Sequence, residues 1–226
     1  APNSEIDSYG AFNNAWFIQN IFKENGTGIH IGPNQREVNN FNFDGNTFEL
    51  NGTGLRLGTG YGIRSGEDNP IRINRNVFRQ NELGIGIKPY GGDWTTNITN
   101  NLFGECATAI LLDDGQSNIL DNFFYLNTDA VRTATRPRYV TVENNIFYKN
   151  VNVTSFPNTY QYNGSLNATV TRNLIDGNSG TVLVLNGKDL QYASFTQNIV
   201  INHTYAQEWF TTTSTTSFNF TDNFID

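Results

Sequence analysis

The 226-residue sequence predicts an all-β solenoid, one domain whose short strands wind through about nine coils and build three parallel sheets. Three observations predict it. A unit reading Asn, apolar residue, Phe, two variable residues, Asn recurs along the chain, as in Asn145-Ile146-Phe147-Tyr148-Lys149-Asn150. Its large apolar positions alternate with others at the two-residue period of a strand. Finally, strands of about five residues that never pair with a sequence neighbour must pair with the same strand one repeat on.

The register of the unit holds throughout. Its leading Asn recurs at Asn20, Asn46, Asn76, Asn101, Asn122, Asn145, Asn173, Asn198 and Asn223. Two residues later stand Phe22, Phe48, Phe78, Phe103, Phe124, Phe147, Ile175, Val200 and Ile225; three residues before stand Phe17, Phe43, Ile73, Ile98, Ile119, Val142, Val170, Phe195 and Phe220. A closing Asn follows at Asn25, Asn51, Asn81, Asn127, Asn150 and Asn178, with Cys106 and His203 in its place in two copies.

Residues 1–14 show neither repeat nor helical period and are expected to lie outside the β-helix of 15–226. The first copy runs through Phe17 to Asn25 and into a third strand, Gly28-Ile29-His30-Ile31-Gly32. The same third strand carries the inward pairs Leu55/Leu57, Ile85/Ile87, Ile110/Leu112, Val131/Thr133 and Val182/Val184. The copies closing at Asn150 and His203 lack this register, so distorted coils are expected there. The excess of the repeat over three strands falls into Gly-, Pro-, Asn- and Asp-rich loops at 32–40, 58–70, 88–95, 157–166 and 185–191. Stacking at about 4.8 Å per coil places the Phe residues on one another in the core. The Asn columns fall at the corners, where a carboxamide bonds backbone groups that have left the sheet and where Asn tolerates the left-handed conformation. Cys106 reads as a buried, inert thiol, and His203 as a hydrogen-bonding substitute for Asn.

Composition narrows the function. A net charge of −7 with no basic run excludes nucleic acid as a partner, and no apolar run is long enough to insert in a membrane. There is no Met, and the chain opens Ala1-Pro2-Asn3-Ser4, as after signal-peptide removal, so a secreted or cell-surface location is expected. Asn is abundant (35 residues) and creates eight glycosylation sequons. Asn25 and Asn51 belong to the inward ladder; the candidates for a sugar are Asn97, Asn152, Asn163, Asn167, Asn202 and Asn219.

The stretches Val140–Asn150 and Phe41–Leu57 resemble the right-handed parallel β-helix repeat of the pectin-lyase-like superfamily, and the resemblance covers about residues 15–226. It implies the fold; the superfamily holds lyases, hydrolases, adhesins and structural proteins alike. It also implies where an enzyme of this kind would work: a groove along the third-strand sheet, whose outward residues are expected to be His30, Arg56, Gly86, Leu111, Arg132, Ser155 and Leu183. A polysaccharide lyase or hydrolase acting on an acidic glycan would there use Lys88, Asp113, Asp114 and Arg132, with Ca²⁺ a cofactor only in that case. Tyr61, Tyr90 and Trp94 in the flanking loops could stack on sugars, as in a carbohydrate-binding module. Against catalysis, Asp113-Asp114-Gly115 is an ordinary turn, and no nucleophile elbow, phosphate loop or metal-spaced cluster is present. The preferred expectation is a non-catalytic structural or adhesive β-helix without a cofactor, glycosylated, with polysaccharide or copies of itself as partner, its coils stacking end to end into filaments.

Overall fold

The computed structural model describes residues 5–6, 12–32, 38–58, 70–88, 95–157, 166–186, 190–203, 210–212 and 217–226. Every strand pairing among them is parallel, and each joins equivalent strands of successive coils. The middle sheet has nine strands, one from each copy, from Ile21–Lys23 to Phe224–Ile225. The first and third strands form two further parallel sheets, joined into a 16-stranded one by two long strands, Thr108–Leu120 and Asp129–Glu143. These are the coils in which leading Asn residues are closest in sequence, so no residues are spare for a loop. The chain turns while still paired, through register shifts between Leu112 and Asp114 and between Gly115 and Gln116. The other inter-coil loops lie largely outside the described residues.

Each middle strand but the last, which has two, has only three residues, and the second points inward. That alternation builds the core. Phe22, Phe48, Phe78, Phe103, Phe124 and Phe147 stack with ring centroids 4.8–5.0 Å apart and planes within 11° of parallel. Phe17 and Phe43 stack likewise at 5.1 Å. Small residues face these rings from the third strand: a Cβ added at Gly54 would lie 2.7 Å from the Gly84 carbonyl oxygen and 3.0 Å from the Phe78 ring.

The Asn ladders close the corners. In the leading column, Asn101 donates Nδ2 to the Ile73 carbonyl at 2.8 Å and to Asn122 Oδ1 at 3.0 Å; that oxygen also accepts the Asn101 backbone N–H at 2.9 Å. The closing column repeats the device: Asn127 Nδ2 reaches the Phe103 carbonyl and Asn150 Oδ1. The left-handed residues, however, are not the ladder Asn residues, as expected from sequence, but those just before them. Arg75, Asn100, Asp121, Arg172 and Gln197 precede leading Asn residues at φ between 55 and 57°, and Leu50, Gln80, Glu105, Leu126 and Lys149 precede closing ones at 54 to 56°. The ladder residue must aim its carboxamide along the stack, so its neighbour makes the turn.

Two further expectations are corrected. The coil closing at Asn150 keeps its third-strand register, with Thr154 and Phe156 buried in the inward column. In the next coil the pairing is Thr154 with Leu183 and Ser155 with Val184, so Leu183 points inward and Val184 takes the outward position. One extra residue in the corner after Asn178 causes the shift, and Thr154 Oγ1 donates to the Val182 carbonyl beside it. The N-terminal segment supplies a further strand, Glu5–Ile6, which pairs with His30 and Ile31 in the third-strand sheet.

Candidate functional site

The third-strand face carries His30, Arg56, Gly86, Leu111, Arg132, Ser155 and Val184 in register. One step further along two of these strands, Lys88 and Asp113 stand side by side, with Nζ 3.6 Å from Oδ2. Asp113 is largely buried, whereas half of Lys88 is exposed. Arg132 reaches back to Asp129 at 3.7 Å, and Asp129 also accepts from Asn152 Nδ2 at 2.8 Å. The structure therefore brings Lys88 and Asp113 together but pairs Arg132 elsewhere. The Asp114 side chain lies outside the described residues, as do Tyr61, Tyr90, Trp94 and Asn163. A lyase base must be free to take a proton. Here Lys88 and Arg132 each already face a carboxylate.

Of the other sequons, Asn97 is half-buried and accepts from Asn118 Nδ2 at 2.9 Å. Asn152 has its carboxamide engaged on both sides, by Asp129 and by the Thr181 N–H. Asn202 is exposed, left-handed and bonded to Asp176. Asn167 and Asn219 are half-buried.

The two substituted ladder positions differ in outcome. Cys106 is buried as expected; its backbone N–H donates to Asn127 Oδ1, and its thiol lies 3.7 Å from the Phe78 carbonyl, the acceptor an Asn would have used. Burial raises its pKa, which keeps it protonated. His203 does not replace Asn as expected. Both ring nitrogens are shielded from solvent and lack a hydrogen-bond partner among the described residues. A carboxamide offers donor and acceptor side by side at one reach, whereas the two nitrogens of an imidazole point apart. Burial accordingly lowers the His203 pKa, opposed in part by the backbone of Gly180 and Asn178.

A feature that sequence reasoning left unused is on the outside of the middle sheet. The residue that follows each leading Asn, apolar in every copy but Thr47, is outward, because the residue after it is inward. The column runs Ile21, Thr47, Val77, Leu102, Phe123, Ile146, Leu174, Ile199 and Phe224, in register from coil to coil. Several members are well exposed: Ile21 76%, Ile146 42%, Ile199 46% and Phe224 58%. The signal was the unit itself, whose second position is apolar although two-residue alternation points it to solvent.

The model of a family described as periplasmic copper-binding protein (NosD) matches residues 6–139. No curated protein and no solved structure matches the chain. The family's location agrees with an exported chain, and no helix among the described residues is long and apolar enough to cross a membrane. Copper fits these residues poorly. Soft copper sites use Cys, Met and His, and this chain has one Cys, two His and no Met. His30, Cys106 and His203 lie in the first, fourth and eighth coils, about 14 Å and 19 Å apart along an axis rising about 4.8 Å per coil. No group of three His, Cys, Asp or Glu able to hold a metal occurs among the described residues. The match nonetheless spans more than half the chain, across the coils whose Phe and Asn columns define the fold, and on that ground the chain belongs to the NosD family of right-handed β-helix proteins.

Proposed function

We propose that the chain is a non-catalytic exported scaffold, a rigid β-helical rod that presents its surfaces for binding rather than for turnover. The observation carrying this reading is the third-strand face. The position where β-helix enzymes hold their machinery is filled by Gly86, Leu111, Ser155 and Val184, and the charges beside them are closed into Lys88–Asp113 and Arg132–Asp129. The test is a product assay on uronate polymers, with and without Ca²⁺, on the native chain, Lys88→Ala and Arg132→Ala. The expected result is no product above a protein-free control for any of them. Cleavage by the native chain that either substitution removes would sink the proposal.

One observation favours a narrower version. Arg56, Lys88 and Arg132 each leave a cationic side chain in solvent on the same face, spread over four coils. An acidic polysaccharide lying along the rod would meet them in sequence without being cut. Retention on immobilised polygalacturonate, weakened by salt and by Arg56→Ala with Lys88→Ala, is the expected outcome. Equal retention of the variant would remove this version and leave the non-catalytic scaffold standing.

A further inference from the structure

We propose that the outward apolar stripe of the middle sheet is a self-association surface, on which a second copy of this chain packs face to face and antiparallel. Soluble proteins rarely leave a contiguous apolar band of this length uncovered. Nine strands at about 4.8 Å spacing, each about 15 Å across with its flanks, make a face of roughly 600 Å² per copy. Two copies would bury about 1,200 Å², the lower edge of the range for specific stable interfaces.

The residues on this face suit a two-fold partner better than a featureless apolar one. A two-fold axis lying in the interface along the strand direction reverses the order of coils and sets the fifth strand of each copy on its equivalent. Phe123 then meets the other Phe123, Leu102 meets Ile146, Val77 meets Leu174, Thr47 meets Ile199 and Ile21 meets Phe224. In the same register Glu105 comes opposite Lys149 and Leu126 opposite Leu126, while Arg79 comes opposite Asp176 but is already held by Glu49 of its own chain. Leu126 is itself 52% exposed. On the far rim Arg75 comes opposite Arg172, but each is already held by a carboxylate of its own chain, Asp44 and Glu143. Glu105 and Lys149 thus meet as opposite charges across the axis through the same register that mates the apolar column. A glycan or lipid surface has no such two-fold demand. The contact is closed and isologous, unlike end-on stacking, which grows without limit.

The test is sedimentation velocity of the full chain from about 1 to 100 μM, a span chosen for an interface at the low end of the size range. The expected result is a monomer–dimer equilibrium that goes no further than two copies. Phe123→Asp, which sets two carboxylates against each other at the axis, should leave only monomer while circular dichroism stays native. Glu105→Lys and Lys149→Glu should each weaken the dimer about tenfold, and the double exchange should restore it, because each Lys then faces a Glu again. A monomer at every concentration overturns the proposal, as do a dimer indifferent to Phe123→Asp and a double exchange as weak as the singles. Open-ended growth overturns it in favour of end-on stacking. Co-sedimentation of a purely monomeric chain with anionic vesicles or insoluble glycan, abolished by Phe123→Asp, reassigns the stripe to that occupant.

Discussion

At the scale of single residues, the corners are where this chain is most sensitive. Asn122 supplies an acceptor to the Asn101 backbone N–H and donors to the Ile98 and Leu120 carbonyls and to Asn145 Oδ1, and its own N–H is taken by Asn145. Removing the carboxamide orphans buried backbone groups in two coils at once. Asn122→Ala should therefore cost about 3 kcal/mol in chemical denaturation, more than a typical surface change. Cys106 offers the opposite sign. An Asn there would replace a weak thiol donor facing the Phe78 carbonyl with an amide that also reaches Asn127 Oδ1, and Cys106→Asn should stabilise by about 1 kcal/mol. His203 makes the ladder pH-sensitive. Its folded pKa lies below the ordinary 6.5, so the unfolded chain binds more protons just below that value. Stability is full above about pH 6.5 and falls as the pH drops below it. His203→Asn should flatten a melting-temperature profile between pH 7 and 5. The separate loss at lower pH, where the Asp44 and Glu49 carboxylates lose their bonds to Arg75 and Arg79, should remain.

At the scale of elements, the two-residue alternation around each leading Asn made the strands, the parallel pairing and the Phe column readable from sequence. What was not readable depends on insertions of one residue. The corner after Asn178 holds one residue more than its neighbours, and nothing in the apolar pattern of Val182, Leu183, Val184 and Leu185 distinguishes the two possible faces. The extra residue decides it, and Leu183 goes in. The left-handed positions were hidden for a related reason: Leu126, Lys149 and Gln80 have no intrinsic preference for that conformation and adopt it because the ladder beside them requires it. On the third-strand face, sequence identified which residues cluster but not how their charges pair: Asp129, three residues before Arg132 on the same strand, takes its guanidinium, and Asn152 of the next coil joins that carboxylate. The Phe column itself gives a graded prediction. Phe103 lies between Phe78 and Phe124 at 4.9 Å on each side, fully buried. Phe103→Ala should cost about 4 kcal/mol, and Phe103→Leu, which keeps most of the volume as Ile175 does further along, about 1–2 kcal/mol by denaturant titration.

At the scale of the molecule, family and chain diverge over metal, and the divergence has a physical origin in the repeat. A solenoid converts distance in sequence into height along an axis, so residues meet in space only within a coil or at equivalent positions of adjacent coils. A metal site on such a rod needs donors repeated in register or gathered in one coil. This chain's repeated donors are Asn carboxamides, already committed to backbone carbonyls and to each other, and they are poor ligands for a soft ion. Its three soft donors sit in three separate coils; the one thiol is buried and held protonated. The prediction is that the purified chain, loaded with Cu(I) or Cu(II) and dialysed against a competing chelator, retains well under one equivalent by elemental analysis, with its thermal midpoint unchanged. Cys106→Ser and His203→Asn should leave that result as it is. Retention of one tight equivalent together with a raised midpoint, both lost in His30→Ala, would show that the third-strand face gathers a copper site around His30 and would return the chain to its family's named ligand.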